Sequence, residues 1–183
     1  NGPRCTPTID GDLVFVLGAK GKLYAVDISS GRQVWWYNLV EEFGSKVPNW
    51  GFSCSPLVVD DYLIAEVGGT ENRSLLAFDK QNGTVVWSTH TDEAGYSSPI
   101  YVTLVDIPQV VQLTLRTLFA VNPQTGQMLW SYDWPEGINI ATPMILSKDR
   151  VFISCSYDKG SVMLKIRQQD NQLIAEEIWK NRR

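Results

Sequence analysis

"AVDISSGRQVW" runs from Ala25 to Trp35, and two later stretches repeat its plan: "AFDKQNGTVVW" from Ala77 to Trp87 and "AVNPQTGQMLW" from Ala120 to Trp130. Each has Ala first, Asp or Asn third, Gly seventh and Trp eleventh. Copies in register mark a repeat protein, and the repeat decides the fold. Asp27, Asp79 and Asn122 close a strand with a side chain able to cap the turn that follows. Gly31, Gly83 and Gly126 supply the backbone freedom such a turn needs. Trp35, Trp87 and Trp130 then fall on the next strand, where a large flat ring fills the space between units. A catalytic residue would not recur at one offset in every unit. The segment is scaffold.

A second mark recurs ahead of each copy: Ser or Thr, then Pro, then a short apolar run. It stands at "TPTI" from Thr6, "SPLVV" from Ser55, "SPIYV" from Ser98 and "TPMIL" from Thr142. The two marks together define four units with a period of roughly 40–50 residues, in the range of propeller blades. Each unit reads as four short strands, the first as "TPTI", "DLVFVLG", "KLYAVD" and "QVWWYNL". Beta-branched and aromatic residues fill the runs, and Gly, Asp, Asn and Ser fill the gaps. No stretch sustains a helical period, so the expected class is all-β.

Second strands such as Leu13-Val14-Phe15-Val16-Leu17 are apolar at successive positions, which demands cover on both faces of the sheet. Four-stranded sheets packed radially as propeller blades meet that demand and leave only short edges. Proline cannot donate to a ladder, so Pro7, Pro56, Pro99 and Pro143 are expected to open the innermost strand of each blade. The expected blades cover approximately 4–40, 54–90, 97–133 and 141–181 within one domain, 1–183.

These repeats resemble the PQQ-like β-propeller family, which includes quinoprotein alcohol dehydrogenases and the propeller lipoprotein of the outer-membrane β-barrel assembly machinery. The resemblance spans essentially the whole chain. The fourth unit departs from it, with Ile166 in place of the acid, Asp170 in place of Gly and Trp179 arriving late, so its last hairpin is expected to be longer or irregular. Rings of this family hold about seven or eight blades. The resemblance therefore implies missing blades or a partner chain to close the ring, and an extracytoplasmic (periplasmic or secreted) location. The chain starts at Asn1 and shows no targeting signal, as expected of a processed chain or a piece of a longer one.

Composition narrows the function. With 183 residues, 44% of them hydrophobic, the chain can bury a core, and no apolar run approaches the roughly 20 residues of a membrane span. A net charge of −4 with interspersed signs leaves no basic stripe for nucleic acid, and the terminal "KNRR" reads as a solvated tail. Cys5, Cys54 and Cys155 are too few and too far apart for a disulfide framework or a zinc site, and read as buried free thiols. His90, the single histidine, lies in a connection and lacks the partners of a triad or metal site. "GAKGK" at Gly18 lacks the phosphate-loop spacing, and the acid pairs Asp60-Asp61, Asp92-Glu93 and Glu176-Glu177 point to opposite faces of a strand.

The family's enzymes carry a disulfide between neighbouring cysteines, a Trp floor, a calcium site and a catalytic Asp. No two cysteines here are adjacent, and only Trp50 imitates a floor. The expectation is thus a non-catalytic propeller, a scaffold that binds a protein, peptide or other ligand such as a surface polymer at its rim or channel mouth, with no cofactor or metal. A fragment of a PQQ- and calcium-dependent dehydrogenase is the alternative, and a sensor domain of a larger signalling protein is a further one. The candidate binding residues are Arg4, Trp50, Phe52, Tyr96 and Asn139, carried by the connections that precede the Ser/Thr-Pro marks. All four connections would arrive at one channel mouth. Arg4, Trp50, Tyr96 and Asn139 are expected to line a common funnel there.

Overall fold

The computed structural model describes residues 2, 4–170 and 172–182, so Asn1, Pro3, Asn171 and the last residue of the "KNRR" tail, Arg183, lie outside the described residues. Four antiparallel four-stranded sheets follow one another along the chain, each with its strands in sequence order. Blade 1 comprises β1 (Thr8–Asp10), β2 (Leu13–Leu17), β3 (Lys22–Asp27) and β4 (Gln33–Asn38). Blade 2 comprises β5 (Leu57–Val59), β6 (Tyr62–Glu66), β7 (Leu75–Asp79) and β8 (Val85–Thr89). Blade 3 follows as β9 (Ile100–Leu104), β10 (Ile107–Leu113), β11 (Thr117–Val121) and β12 (Met128–Asp133). Blade 4 closes with β13 (Met144–Ser147), β14 (Arg150–Cys155), β15 (Gly160–Gln169) and β16 (Gln172–Asn181).

Each expected proline stands immediately before the first strand of its blade. The hydroxyls before those prolines tie neighbouring blades together, since Thr6 N donates to Ser55 Oγ (2.9 Å) and Ser55 N to Ser98 Oγ (2.8 Å). That explains why the residue is Ser or Thr.

The repeated segment forms the hairpin turn between the third and fourth strands. Asp79 Oδ1 accepts from Gln81 N and Asn82 N, and Asn122 Oδ1 accepts from Gln124 N and Thr125 N. Asp27 Oδ1 accepts from Ser30 N and from the hydroxyls of Ser29 and Ser30, which holds its carboxyl down at about 2. The glycine that ends each turn has positive φ, +80° at Gly83 and +69° at Gly126.

Those turns meet the tryptophans of the preceding blade. Trp35 is buried over Gly83 and donates Nε1 to Lys80 O (3.0 Å), while Trp87 lies over Gly126 and donates to Pro123 O (3.0 Å). A Cβ at Gly83 would come within 2.8 Å of Trp35 Cδ2, and one at Gly126 within 2.6 Å of Trp87 Cε3. Glycine is required here by contact as well as by φ. Blade 4 has no such turn to offer, and Trp130, also buried, instead donates to the buried Gln109 Oε1 within its own blade (2.6 Å).

The cores lie between blades. Phe15, Leu23 and Trp35 pack against Leu63 and Phe78, Ile64, Ala77 and Trp87 against Val110 and Phe119, and Val111, Ala120 and Trp130 against Val151 and Leu164. Two features stand apart from the four-strand repeat. A one-turn helix, α1 (Leu39–Phe43), follows β4, because Asn38 Oδ1 accepts from Val40 N at its start and Gly44 closes it at φ +68°. It buries Leu39 and Phe43 beside blades 1 and 2, so the chain is not strictly all strand. The other concerns Trp179, which takes the place of Trp35 in the row Phe152–Met163–Trp179 but is 43% exposed. No described residue covers that side of blade 4. The β15–β16 hairpin is long, ten residues on each strand, with Asp170 at φ +49° where the other turns place Gly.

At the other end, Ile9, Val34 and Trp36 are exposed on the side of blade 1 that faces away from blade 2. Gly31 there has the φ of its counterparts (+68°), and a Cβ built on it would meet nothing. Blade 1 thus carries the turn half of the joint, and blade 4 the tryptophan half.

Candidate functional site

In every blade the first strand leads away from the inter-blade connection and the second returns, so the connections and the second-to-third-strand hairpins share one end of the molecule. The Asx–Gly turns lie at the opposite end. At the connection end, a cavity of about 450 Å³ is lined by Arg4, Trp50, Ser53, Tyr96, Ile138, Ile140 and Tyr157. Arg4 comes from the approach to blade 1, Trp50 and Ser53 from the connection to blade 2, and Tyr96 from the connection to blade 3. The two isoleucines come from the connection to blade 4, and Tyr157 from the β14–β15 hairpin. All four blades contribute.

Trp50 meets Tyr96 edge to face with centroids 5.8 Å apart, and Ser53 Oγ donates to Tyr96 O (3.2 Å). Trp50, Ile140 and Tyr157 remain exposed. Arg4 has neither hydrogen bond nor ion pair among the described residues, and no carboxylate lines the cavity. The arrangement offers aromatic and aliphatic walls, donors and one unneutralised cation.

Three of the five candidate binding residues, Arg4, Trp50 and Tyr96, meet in this cavity. Asn139 does not. It is fully buried, accepts from Trp134 Nε1 (3.1 Å) and donates to Thr114 O and Leu115 O (2.8 and 2.9 Å). Its own carbonyl accepts from Tyr96 N (3.0 Å), so it fixes the loop that carries Tyr96. Phe52 is also misplaced by the sequence reading. It is fully buried in the blade 1–2 core beside Gly21, whose Cβ would approach Phe52 Cε2 to 2.9 Å. The reading missed Ser53, Ile138, Ile140 and Tyr157. Only the apolar "INI" around Asn139 pointed toward the isoleucines.

Buried polar groups stand directly under these connections. Glu66 is fully buried at the end of β6, where Oε1 accepts from Gly95 N (2.9 Å) and Oε2 has no partner. Desolvation pushes its carboxyl up to about 8, with Asp92 adding in the same direction against the hydrogen bonds it accepts. Across the blade interface, Gln112 donates to Ser97 O (3.2 Å) and Leu113 O (3.0 Å), while its Oε1 and Ser97 Oγ are unpartnered. A protonated Glu66 is the form this surrounding favours.

Asp92 organises the neighbouring loops. It accepts from Thr114 Oγ1 (2.6 Å), Arg116 N (2.7 Å) and Glu93 N (2.9 Å), and pairs with the Arg116 guanidinium (2.8 Å). Arg116 also pairs with Glu93 and Glu136, and Lys46 with Glu93. The hollow beside them has its charges already matched and reads as structure. His90 is half-buried against Phe119 (4.6 Å between centroids), and burial lowers its pKa. Cys54 and Cys155 are buried free thiols and Cys5 is partly buried, and burial raises all three pKa values.

Calcium seeks about 6–8 oxygen ligands that include carboxylates. No group of three or more His, Cys, Asp or Glu side chains able to hold a metal occurs among the described residues. The cavity's lining does not fit such an ion, nor therefore the calcium that accompanies the family's quinone.

The class defined by this geometry is a β-propeller of four-stranded antiparallel blades, and comparison with known proteins specifies it further. A family model described as outer membrane protein assembly factor BamB matches residues 1–182. The chain belongs to the PQQ-like β-propeller family. It is 30% identical over 132 residues to outer membrane protein assembly factor BamB of Shewanella oneidensis, which covers 71% of this chain and 32% of that protein. It is 24% identical over 147 residues to quinoprotein alcohol dehydrogenase PedH of Pseudomonas putida, covering 74% and 24% respectively. Among solved structures, quinohemoprotein alcohol dehydrogenase from Comamonas testosteroni superposes with a TM-score of 0.65 at 14% identity, over all of this chain and 35% of that one. The chain thus spans a quarter to a third of the length of these relatives. No described helix is long and apolar enough to cross a membrane.

Proposed function

We propose that this chain is part of a non-catalytic propeller that binds a segment of a protein partner at its channel mouth. The observation that carries this reading is the cavity to which all four blades contribute, with Trp50, Tyr96 and Tyr157 on its walls. Large, rigid aromatic groups around a concave site are what partner recognition uses most efficiently. The charge network at Asp92 is internally satisfied, and the remaining buried polar groups hold the mouth in shape. Nothing in the lining pairs a nucleophile with a base.

Further blades, in the same polypeptide or in a partner, complete the ring in this reading. The greater length of the relatives and the open joint halves at Gly31 and Trp179 support that. Resemblance to a protein named as an outer membrane assembly factor supports an extracytoplasmic location.

A photo-crosslinking residue at Trp50, compared with one at Ser29 in the opposite-end turn, tests the reading in cells. The expected result is one protein joined from position 50 alone and lost on Tyr157→Ala. Equal labelling from both positions, or none, would refute it. The likeness to PedH favours a second reading, a fragment of a quinoprotein dehydrogenase. Quinone absorbance and dye reduction after addition of PQQ and Ca²⁺ would establish that one instead.

A further inference from the structure

We infer that the mouth cavity selects an acidic segment of its protein partner, pairing a carboxylate with Arg4 while an adjacent apolar side chain enters between Trp50, Tyr96 and Ile138. This rests on the protein-binding reading and adds the chemistry of the ligand.

The charge balance of the lining is the first ground. The chain is acidic overall, at −4, yet the residues around this cavity include no acid at all. Near this end Arg116 is paired with Asp92, Glu93 and Glu136, and Lys46 with Glu93, whereas Arg4 and the hairpin residues Lys20 and Lys159 have no ion pair among the described residues. Of these three, Arg4 lines the cavity. A guanidinium presents a planar fork of donors that matches a carboxylate in two parallel hydrogen bonds.

Donor polarity is the second ground. Besides Arg4, the indole N–H of Trp50 and the hydroxyls of Tyr96 and Tyr157 have no hydrogen-bond partner among the described residues. The lining therefore supplies donors in excess of acceptors, which suits an anion and disfavours a lysine or arginine side chain.

Size and shape are the third ground. About 450 Å³ accommodates one or two residues of an extended chain and not a folded element. The Trp50–Tyr96 pair and the isoleucines give an apolar slot beside the cation, so charge and side chain are read together. The carboxylate can belong to a chain terminus or to an Asp or Glu side chain; the chemistry at Arg4 is the same.

The test uses three dye-labelled hexapeptides with one leucine-phenylalanine core. One ends in a free carboxylate, one in an amide, and one in an amide with an internal Asp beside the Phe. Fluorescence anisotropy with the 183-residue chain reads their affinities. The free-acid or the Asp peptide is expected to bind at least about tenfold more tightly than the neutral amide, a difference that shrinks in high salt. Which of the two leads distinguishes a terminal from a side-chain carboxylate. Arg4→Gln should bring the charged and neutral peptides within twofold, and Arg4→Lys should retain part of the preference. Arg4 is exposed and unpaired, so both variants should fold as the parent does. Equal binding of all three peptides, lost on Trp50→Ala, would overturn the carboxylate inference and leave the protein-binding reading standing. A preference that survives Arg4→Gln would overturn it likewise, and no binding in any arm would overturn both.

Discussion

Raising the pH should weaken this fold through one carboxyl group, and replacing that group should remove the effect. Glu66 is sealed between blades 2 and 3, with one oxygen on Gly95 N and the other unpartnered. Its pKa stands near 8 in the folded protein against an ordinary 4.5. An acid whose folded pKa is raised contributes its full stability only below the unfolded pKa, and that contribution is lost as pH rises through the folded pKa. The loss accrues at about 1.4 kcal/mol per pH unit between the two values and levels off above the upper one. From pH 6 to pH 9 it amounts to about 2–3 kcal/mol. Glu66→Gln keeps an acceptor for Gly95 N and offers an amide to the unpartnered Gln112 Oε1. Urea denaturation at pH 6, 7, 8 and 9 of both proteins checks this. The stability difference should move by that amount in favour of the variant across the range. Ionisation of Cys54, whose pKa burial also raises, is common to both proteins and drops out of the difference to first order. Parallel stability curves for the two would refute the placement of a dry, protonated carboxyl under the mouth.

Gly126→Ala and Gly31→Ala separate steric contact from backbone strain. Both residues have positive φ, but only Gly126 lies against a tryptophan, so about 1 kcal/mol is expected at Gly31 and about 3 at Gly126 by urea denaturation. Trp87→Ala, which empties the same joint, should cost about 3–5 kcal/mol in that assay. Asp92→Ala removes the acceptor for Thr114, Arg116 and Glu93 and should cost about 3–5 kcal/mol, with faster amide exchange in residues 92–96. The 183-residue chain should self-associate and bind a hydrophobic dye through the apolar side of blade 1, and Val34→Lys with Trp36→Glu should reduce both in light scattering and dye fluorescence.

The fold was legible because its determinants are local and repeated. Asp79 and Gly83 serve one turn, four residues apart, so their roles follow from spacing alone. The mouth was legible only in part. Topology brings the four connections together, which locates Arg4, Trp50 and Tyr96, but it does not say which way a side chain in a connection turns. Phe52 and Asn139 turn inward because groups of other hairpins receive them: Gly21 leaves room for one, and two carbonyls of the β10–β11 hairpin, together with Trp134, bind the other. Glu66 gave a signal that went unread, a lone acid at the end of the apolar run "YLIAE", whose burial depends on a blade about thirty residues further on.

The two ends of the described array bear on what completes it. A joint between blades is heterologous: one side inserts a tryptophan, and the other receives it on a glycine turn with a free carbonyl. The joints between blades 1 and 2 and between blades 2 and 3 show the assembled form, at Gly83 with Lys80 O and at Gly126 with Pro123 O. Blade 1 displays the receiving half, Gly31 with open space above it and Ile28 in the position of Lys80 and Pro123. Blade 4 displays the inserting half, Trp179 beside Phe152. Complementary halves on opposite faces define a direction of growth, and a constant rotation per joint either closes such an array into a ring or extends it without limit. A generic apolar cover would need no socket. Under the proposed reading, in which further blades complete the ring, the two joints filled in this way and the unfilled halves at either end favour a blade built on the same eleven-residue segment as the cover of blade 1.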